Sequence, residues 1–362
     1  MATKAEIIIP QSAEDISPSW VQLVLQKELP GIIITDVDVK GPINKGEGYM
    51  SNIIAFDAVG TRNGTSQHYS LVAKMTDFNC PFTEIKEWKK ETHIKMETRK
   101  LRFYSDVVPE LLSVAIPGTE RESKPGNIDD QNDPPTDSLF LPKCYFAATD
   151  PSSMVSVRVM ENLKSQGFSI KPNRQSLSRA EMMLAAGALA QLHGLSHLVE
   201  LRSGKPLSEK YDWIKTTSRV WIDAQSSLYR DGVKEFAAAF PKKADLTGFL
   251  EKLDPYREIL DLEEDPRLKV LCHTDSWINN IMIKFDGDVP TEVRLVDWQT
   301  PTYNPPTIDL TLLFLCNTSW DVFHNYRDDI LAHYHHILQE TLGTGDPDLL
   351  RMIQEIQKWG VI

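Results

Sequence analysis

Cysteine is scarce in this chain of 362 residues: four thiols, Cys80, Cys144, Cys272 and Cys316, lie far apart and form no CxxC pair. That spacing argues against a disulfide framework or a cysteine-rich zinc site and fits reduced thiols in a cytoplasmic setting. Long hydrophobic runs are also missing. No segment sustains the roughly 18 uncharged apolar residues of a transmembrane helix. The N-terminal MATKAEIIIPQSAEDISPSW has one short apolar patch, broken at Pro10, so a secretory signal is not expected. Positive charge is in deficit, with 39 Lys and Arg against 51 Asp and Glu and a net charge of −12. This weighs against nucleic acid or an anionic membrane as a partner. The glycosylation-like NGT at Asn63 and NTS at Asn317 need a secretory route to matter. What is present is an ordinary folding composition, 41% hydrophobic and 25% charged, over a length that suits two domains of about 150 residues.

Hydrophobic patterning divides the chain. WVQLVLQKELPG has helical spacing, and IIITDVDVKGPINKGEGYMSNIIAFDAVG and SQHYSLVAKM read as strands separated by glycine-containing turns. FTEIKEWKKETHIKMETRKLRFYSDVVPEL reads as a helix ending near Pro109, and PGTERESKPGNIDDQNDPPTDS as an exposed loop. Two more strands follow in FLPKCYFAATD and MVSVRVMENL. The remainder is mainly helical, beginning with LSRAEMMLAAGALAQLHGLSHLVE, interrupted by a hairpin in NNIMIKFDG and TEVRLVDWQ and ending in an apolar-faced helix, DLLRMIQEIQKWGVI. The boundary falls near 161 to 168, giving an N-terminal lobe of residues 1–160 and a C-terminal lobe of residues 161–362.

Four separated pieces suit phosphoryl transfer. In KGEGYMS, Gly46 and Gly48 allow close backbone approach to phosphate, although a plain hairpin turn would use the same glycines. Lys74, on the strand YSLVAKM, could neutralise phosphate or snorkel to solvent, and Glu97 or Glu91 could orient it. LCHTDSWINNIMIKF carries the spacing H-x-D-x-x-x-x-N. Asp275 there suits a base that accepts a hydroxyl proton, Asn280 offers a neutral oxygen to Mg²⁺, and His273 suits a loop organiser. Asp297 follows an apolar strand in VRLVDWQ, where a carboxylate can meet a metal bridging nucleotide phosphates. Asp309 fits a helix cap or an anchor for the catalytic loop, and His193 a support for the helical core. Trp298 and Gln299 are expected in core and loop support, and Trp320, Phe323 and Tyr326 in the core or a substrate pocket. His333, His335 and His336 lack the companion ligands of a transition-metal site.

HTDSWINN together with LVDWQ resembles the insect ecdysteroid kinase-like family, also described as CHK kinase-like or choline-kinase-like, within the broader aminoglycoside phosphotransferase fold. KGEGYMS is similar to that family's nucleotide loop, VAK to its strand lysine, RVMENL to its hinge and LAQLHG to a helix before the catalytic half, a resemblance spanning about residues 40 to 360. The resemblance implies an α+β, bilobal protein-kinase-like fold with a β-rich N-lobe and a mainly helical C-lobe. It implies ATP and Mg²⁺ as cofactors and phosphate transfer to a small-molecule alcohol, with an ecdysteroid as the leading acceptor. Choline or another polar alcohol is an alternative acceptor, and a kinase-like metabolite- or partner-binding protein that has lost catalysis is the non-enzymatic alternative. Lys74 corresponds to the phosphate-binding lysine, Asp275 to the catalytic base, Asn280 and Asp297 to the metal residues, and Glu161 to the adenine-proximal hinge. Two departures stand out: Lys100 occupies the place of the lysine-pairing glutamate before Tyr104, leaving Glu97 one turn earlier, and Thr274 replaces a glycine. The family pattern also implies a further helical element after QKWGVI.

Overall fold

The computed structural model describes residues 7–43, 51–77, 87–115, 140–150, 152, 155–172, 175–214, 219–253 and 269–343. Helix α1 (Pro18–Leu25) starts where Ser17 accepts a hydrogen bond from the Trp20 amide and Pro18 needs no partner for its nitrogen. Strands β1 (Ile33–Pro42), β2 (Ser51–Arg62) and β3 (Thr65–Asp77) follow. Asn63 and Gly64, both at positive φ, close the β2–β3 hairpin, the conformation a two-residue turn of this twist requires. Strands β4 (Cys144–Asp150) and β5 (Val155–Glu161) complete a five-stranded antiparallel sheet in the order β1-β2-β3-β5-β4.

The two faces of this sheet differ as strand alternation demands. Leu71, Ala73, Met75, Val157 and Val159 join Trp20, Val24 and Leu25 of α1 in one apolar cluster. Lys74, Ser156 and Arg158 occupy the alternate positions and therefore face the other way, toward α2 (Glu87–Arg102). The helical stretch does not stop at Pro109. A π-helical turn (Phe103–Val107) leads directly into α3 (Val108–Ala115), so the helix runs on through Pro109, whose missing N–H falls just after the widened turn has shifted the regular i→i−4 bonding. Phe103, Tyr104, Val107 and Leu111 thereby enter the larger core.

That core is organised around α4 (Arg179–Ser203), which opens with a Ser178–Glu181 capping box and ends at Gly204 in the left-handed region. Among the described helices, α4 has the length and hydropathy to cross a bilayer, but most of it is buried inside the protein. Helix α5 (Leu207–Lys210) packs against it, α6 (Arg219–Ala239) and α7 (Ala244–Leu250) pack on each other, and α8 (Thr307–Asn317) and α9 (Trp320–Leu342) pack against α4 again. The expected hairpin is present as β8 (Ile281–Asp286) and β9 (Val289–Leu295), extended by the short β6 (Phe168–Ser169). A pair that patterning did not reveal, β7 (Val270–Cys272) with β10 (Thr302–Asn304), flanks the catalytic-loop segment. The chain is thus α+β and bilobal, a β-sheet lobe followed by a helical region, as the sequence implied. The expected loop at residues 117–138 and the terminal helix at residues 348–362 lie outside the described residues.

Helices α4 and α9 touch closely at Gly194, where an added Cβ would stand 2.8 Å from Thr341 Cγ2 and 3.0 Å from its Cβ. Thr341 is held by its hydroxyl donating to the Ile337 carbonyl at 2.8 Å, so it has little room to turn away. Alanine gains up to about 1 kcal/mol of helix propensity over glycine, whereas overpacking a core costs about 1–3 kcal/mol. Gly194→Ala is therefore expected to lose on the order of 1 kcal/mol in urea denaturation; a gain would show that the helices part freely here.

Candidate active site

The loop after β7 carries His273, Thr274 and Asp275, and its shape is set from beneath by the fully buried carboxylate of Asp309, in the first turn of α8. The His273 amide donates to Asp309 Oδ2 and the Thr274 amide to Oδ1, both at 2.7 Å. Across the core, His193 Nε2–H donates to Asp309 Oδ2 at 3.1 Å, while its Nδ1 faces the Tyr334 hydroxyl at 2.8 Å. Thr274 sits at φ 56, a left-handed conformation that costs a β-branched residue roughly 1–2 kcal/mol. Asp309 and a hydrogen bond from the Thr274 hydroxyl to the Thr300 carbonyl offset that strain. Cys272 Sγ also lies near His193 and Asp309, with their donor atoms all within 4.8 Å of one another. Asp309 and His193 are spent on the contacts above and the thiol points to the Asn304 and Pro305 carbonyls, so the trio is a hydrogen-bonded anchor, not an open ligand set.

His273 organises the loop in a definite tautomer. Its Nε2–H donates to the Val296 carbonyl at 3.1 Å and its Nδ1 accepts from the Asp275 amide at 3.2 Å, while burial lowers its proton affinity. Asp275 Oδ2 accepts from Asn280 Nδ2 at 3.0 Å and from Gln299 Nε2 at 2.8 Å. Burial pushes the Asp275 carboxyl up to about 6; the Gln299 and Asn280 hydrogen bonds oppose the rise and the charge of Asp297 adds to it. Asn280 spends its side-chain nitrogen on Asp275, at the backbone carbonyl (2.8 Å) as well as the carboxylate, so the carbonyl oxygen is the atom it can offer elsewhere.

Asp297 leaves β9 at φ 63, again left-handed for a non-glycine residue. One of its oxygens, Oδ1, lies 3.3 Å from Lys74 Nζ and 3.1 Å from Lys100 Nζ. Burial alone would raise this carboxyl, but Lys100, then Lys74 and Arg158, hold it well below the usual range. Of the two glutamates expected to orient Lys74, the Glu91 side chain lies outside the described residues and Glu97 is engaged elsewhere, while Lys74 meets Asp297. Glu97, 1% exposed, is engaged by Lys100 Nζ at 3.0 Å, by the Ser156 hydroxyl at 2.8 Å and by the Arg158 guanidinium. Burial would raise Glu97 too, and Arg158 and Lys100 overcome it and hold it well below the carboxylate range. Burial lowers Lys74, with Asp297 opposing.

Behind Asp297, Trp298 is fully buried. It stacks on Phe103 at 4.1 Å between ring centroids, meets the His273 ring edge-on and donates Nε1–H to the Leu295 carbonyl at 3.0 Å. Glu161 closes β5. Its carboxylate accepts from the Lys143 amide at 2.7 Å and Gln166 Nε2 at 2.6 Å, which fixes the strand's exit toward Asn162. Gly46 and Gly48 lie outside the described residues. The structure thus brings Lys74, Asp275, Asn280 and Asp297 together, with Glu97 behind them and Glu161 apart at the end of β5.

Arg158 was missed in the sequence. Its signal is a lone arginine among buried valines in VSVRV, a charge that a central strand can tolerate only beside an anion. Trp320, 72% exposed, is not core; it stands at the start of α9, stacked on His324. Asn317 is buried and spends its side-chain nitrogen on the Ser276 and Leu313 carbonyls, which removes it as a glycan acceptor.

The structure gathers the Asp275 and Asp297 carboxylates, the Asn280 amide oxygen and the strand lysine Lys74, residue types that suit phosphoryl transfer. The profile of the ecdysteroid kinase-like family matches residues 45–344, and the chain belongs to that family. Membership carries the coarse activity of a kinase-like enzyme, O-phosphorylation of a small molecule. No curated protein matches the chain. Among solved structures it is similar to the GDP and kanamycin complex of APH(2")-IIia, at 11% identity and a TM-score of 0.40 over 94% of this chain and 99% of that one. It is also similar to aminoglycoside-3'-phosphotransferase of type VIII, at 14% identity and a TM-score of 0.36 over 92% and 96%.

Asp309→Ala would strand two buried loop amides, each costing about 1–3 kcal/mol. A loss of about 3 kcal/mol in urea denaturation is expected, and an unchanged midpoint would show that Asp309 does not hold the loop.

Proposed function

We propose that this protein transfers the terminal phosphoryl group of ATP to a hydroxyl of a small molecule with an apolar skeleton, an ecdysteroid being the leading candidate. The observation that carries the reading is Asp275, a half-buried carboxylate aimed by Asn280 and Gln299 with its proton affinity raised into the range of a general base. In this reading Asp275 accepts the hydroxyl proton as the acceptor oxygen bonds to phosphorus and the bond to ADP breaks. The proton then passes to solvent. Lys74 stabilises charge on the phosphate oxygens, and no phosphoenzyme is needed.

The donor set suits a hard cation: Asp297 is kept ionised, and the oxygen of Asn280 remains to be shared. Asp297 and Asn280 would hold Mg²⁺, which supplies neutralisation of the nucleotide phosphates when bound. Gly46 and Gly48 would cover those phosphates, with the backbone after Glu161 beside the adenine and Glu97 behind the lysine site. Residues 1–160 then form the nucleotide lobe and residues 161–362 the catalytic and acceptor lobe. A cytoplasmic setting belongs to the same reading, supported by the free thiols of Cys144, Cys272 and Cys316.

The apolar acceptor is supported by the surface beside Asp275. Cys316 near the end of α8 feels the Asp275 charge, and Asn317 ties that end of the helix to the loop. Leu315 at 71% and Trp320 at 72% exposure stand near Cys316 along the chain, and exposed large apolar groups on this segment suit a hydrophobic ligand.

Phosphate adducts detected by mass spectrometry across a panel of steroid and polar alcohols, at saturating Mg-ATP, test the activity. Asp275→Asn is expected to lower kcat about 10²–10⁴-fold with nucleotide affinity retained; near-normal turnover would remove Asp275 as the base. For the wild type, kcat/KM for the acceptor should fall as pH drops below about 6, because a proton then occupies the carboxylate that must receive one. A flat profile through that range would contradict the assignment. Trp320→Ala should raise KM for a steroid acceptor about tenfold with kcat little changed, and an unaltered KM would place the acceptor elsewhere.

A further inference from the structure

Lys74 on β3 and Arg158 on β5 are direct cross-strand partners, two cations on the same face of a sheet. Like charges so placed repel unless anions are set against them. Two carboxylates meet that need: Asp297 beside Lys74, and Glu97 beside Arg158. Lys100 is the fifth charge, and the sheet does not require it. Its ammonium, on a residue 4% exposed, bridges the two anions at 3.0 Å from Glu97 Oε1 and 3.1 Å from Asp297 Oδ1. The oxygen it reaches on Asp297 is the one that also faces Lys74. In this ion-pair cluster three cations meet two anions, with the Asp275 carboxylate near Lys100 and Asp297.

In kinase-type sites the strand-exit carboxylate and the loop asparagine hold two divalent ions between them. Here one oxygen of that carboxylate already meets two ammoniums. Lys100 has little freedom to withdraw: it emerges from α2 one turn after Glu97, and α2 is pinned at its end by the Phe103 stack on Trp298. A second divalent ion on Asp297 would sit against a fixed like charge in a site of low dielectric, where repulsion is strongest.

We propose that Lys100 is the resident cation of the nucleotide site, its ammonium taking the place of one divalent ion at Asp297, so that nucleotide is bound with a single divalent cation. The inference rests on the Mg-ATP reading above. Lys100 is in these terms a positioning residue for phosphate charge, built into the helix at the place where the family pattern puts a carboxylate.

Counting Mn²⁺ by electron paramagnetic resonance in the full chain, saturated with a non-hydrolysable ATP analogue, tests it. One bound Mn²⁺ per chain is expected for the wild type and for Lys100→Arg. Lys100→Gln should bind two, and should bind the metal-free analogue about tenfold more weakly through loss of a single charge contact. Two Mn²⁺ in the wild type would overturn the inference alone, without need of any variant, as would one Mn²⁺ in both the wild type and a folded Lys100→Gln. Failure of the wild type to bind the analogue with or without Mn²⁺ would overturn the Mg-ATP reading, and this inference with it.

Discussion

Everything reactive in this molecule depends on a carboxylate that takes no part in the proposed chemistry. Asp309 accepts hydrogen bonds from two successive amides of the catalytic loop and from a histidine on the central helix. A buried carboxylate is costly unless its lone pairs are filled, and here each donor comes from a segment that must otherwise find its own place. Satisfying one buried charge therefore fixes α4, α8 and the loop in one arrangement. The left-handed Thr274 follows from it, because the two amides can converge on a single side chain only if the backbone turns sharply between them.

A second constraint acts across the sheet. Lys74 and Arg158 would repel if left alone, and the answers to them come from opposite directions in sequence, Glu97 from a helix after β3 and Asp297 from the end of β9. The Arg158–Glu97 pair is buried and the Lys74–Asp297 pair partly so, and desolvation offsets much of the attraction in each. Their clearer effect is on geometry: they hold the Asp297 carboxylate ionised, within reach of Lys74 and Lys100. Asp275 differs because its hydrogen-bond partners are neutral amides, which orient the group and lower its proton affinity too little to outweigh burial.

The parts legible in sequence were those encoded locally. The β-strand runs, the helical spacing of LSRAEMMLAAGALAQLHGLSHLVE and the H-x-D-x-x-x-x-N spacing each lie within short segments, and these indicated a strand-rich part followed by a helical part and pointed to Asp275 and Asn280, the family resemblance adding the bilobal class. What escaped depends on register and packing between distant segments. That Arg158 stands opposite Lys74 follows from the pairing of β3 with β5, 84 positions apart in the chain, and no periodicity reveals it. Glu97 was one of two glutamates expected to serve Lys74, yet Arg158 and Lys100 claim it first. Pro109 read as a stop because the helix's passage through it depends on the π-helical turn before it. Trp320 read as core or substrate pocket, and its position at the start of α9 leaves it exposed, which removes the core reading.

The π-helical turn at Phe103–Val107 has a mechanical meaning. Before it, α2 sends Glu97 to strand β5; the turn itself buries Tyr104 and Val107 in the larger core with Phe103 flat against Trp298, and the helix that continues from it adds Leu111. The helix is thus a tie rod between the sheet and the helical body. A swing of the sheet that lifted it off that body would have to tear either a buried ion pair or an aromatic stack. Glu97 and Lys100 are mounted on the rod itself, so the element that joins the two bodies also carries charges that meet Arg158 of the sheet and Asp297 of the helical body.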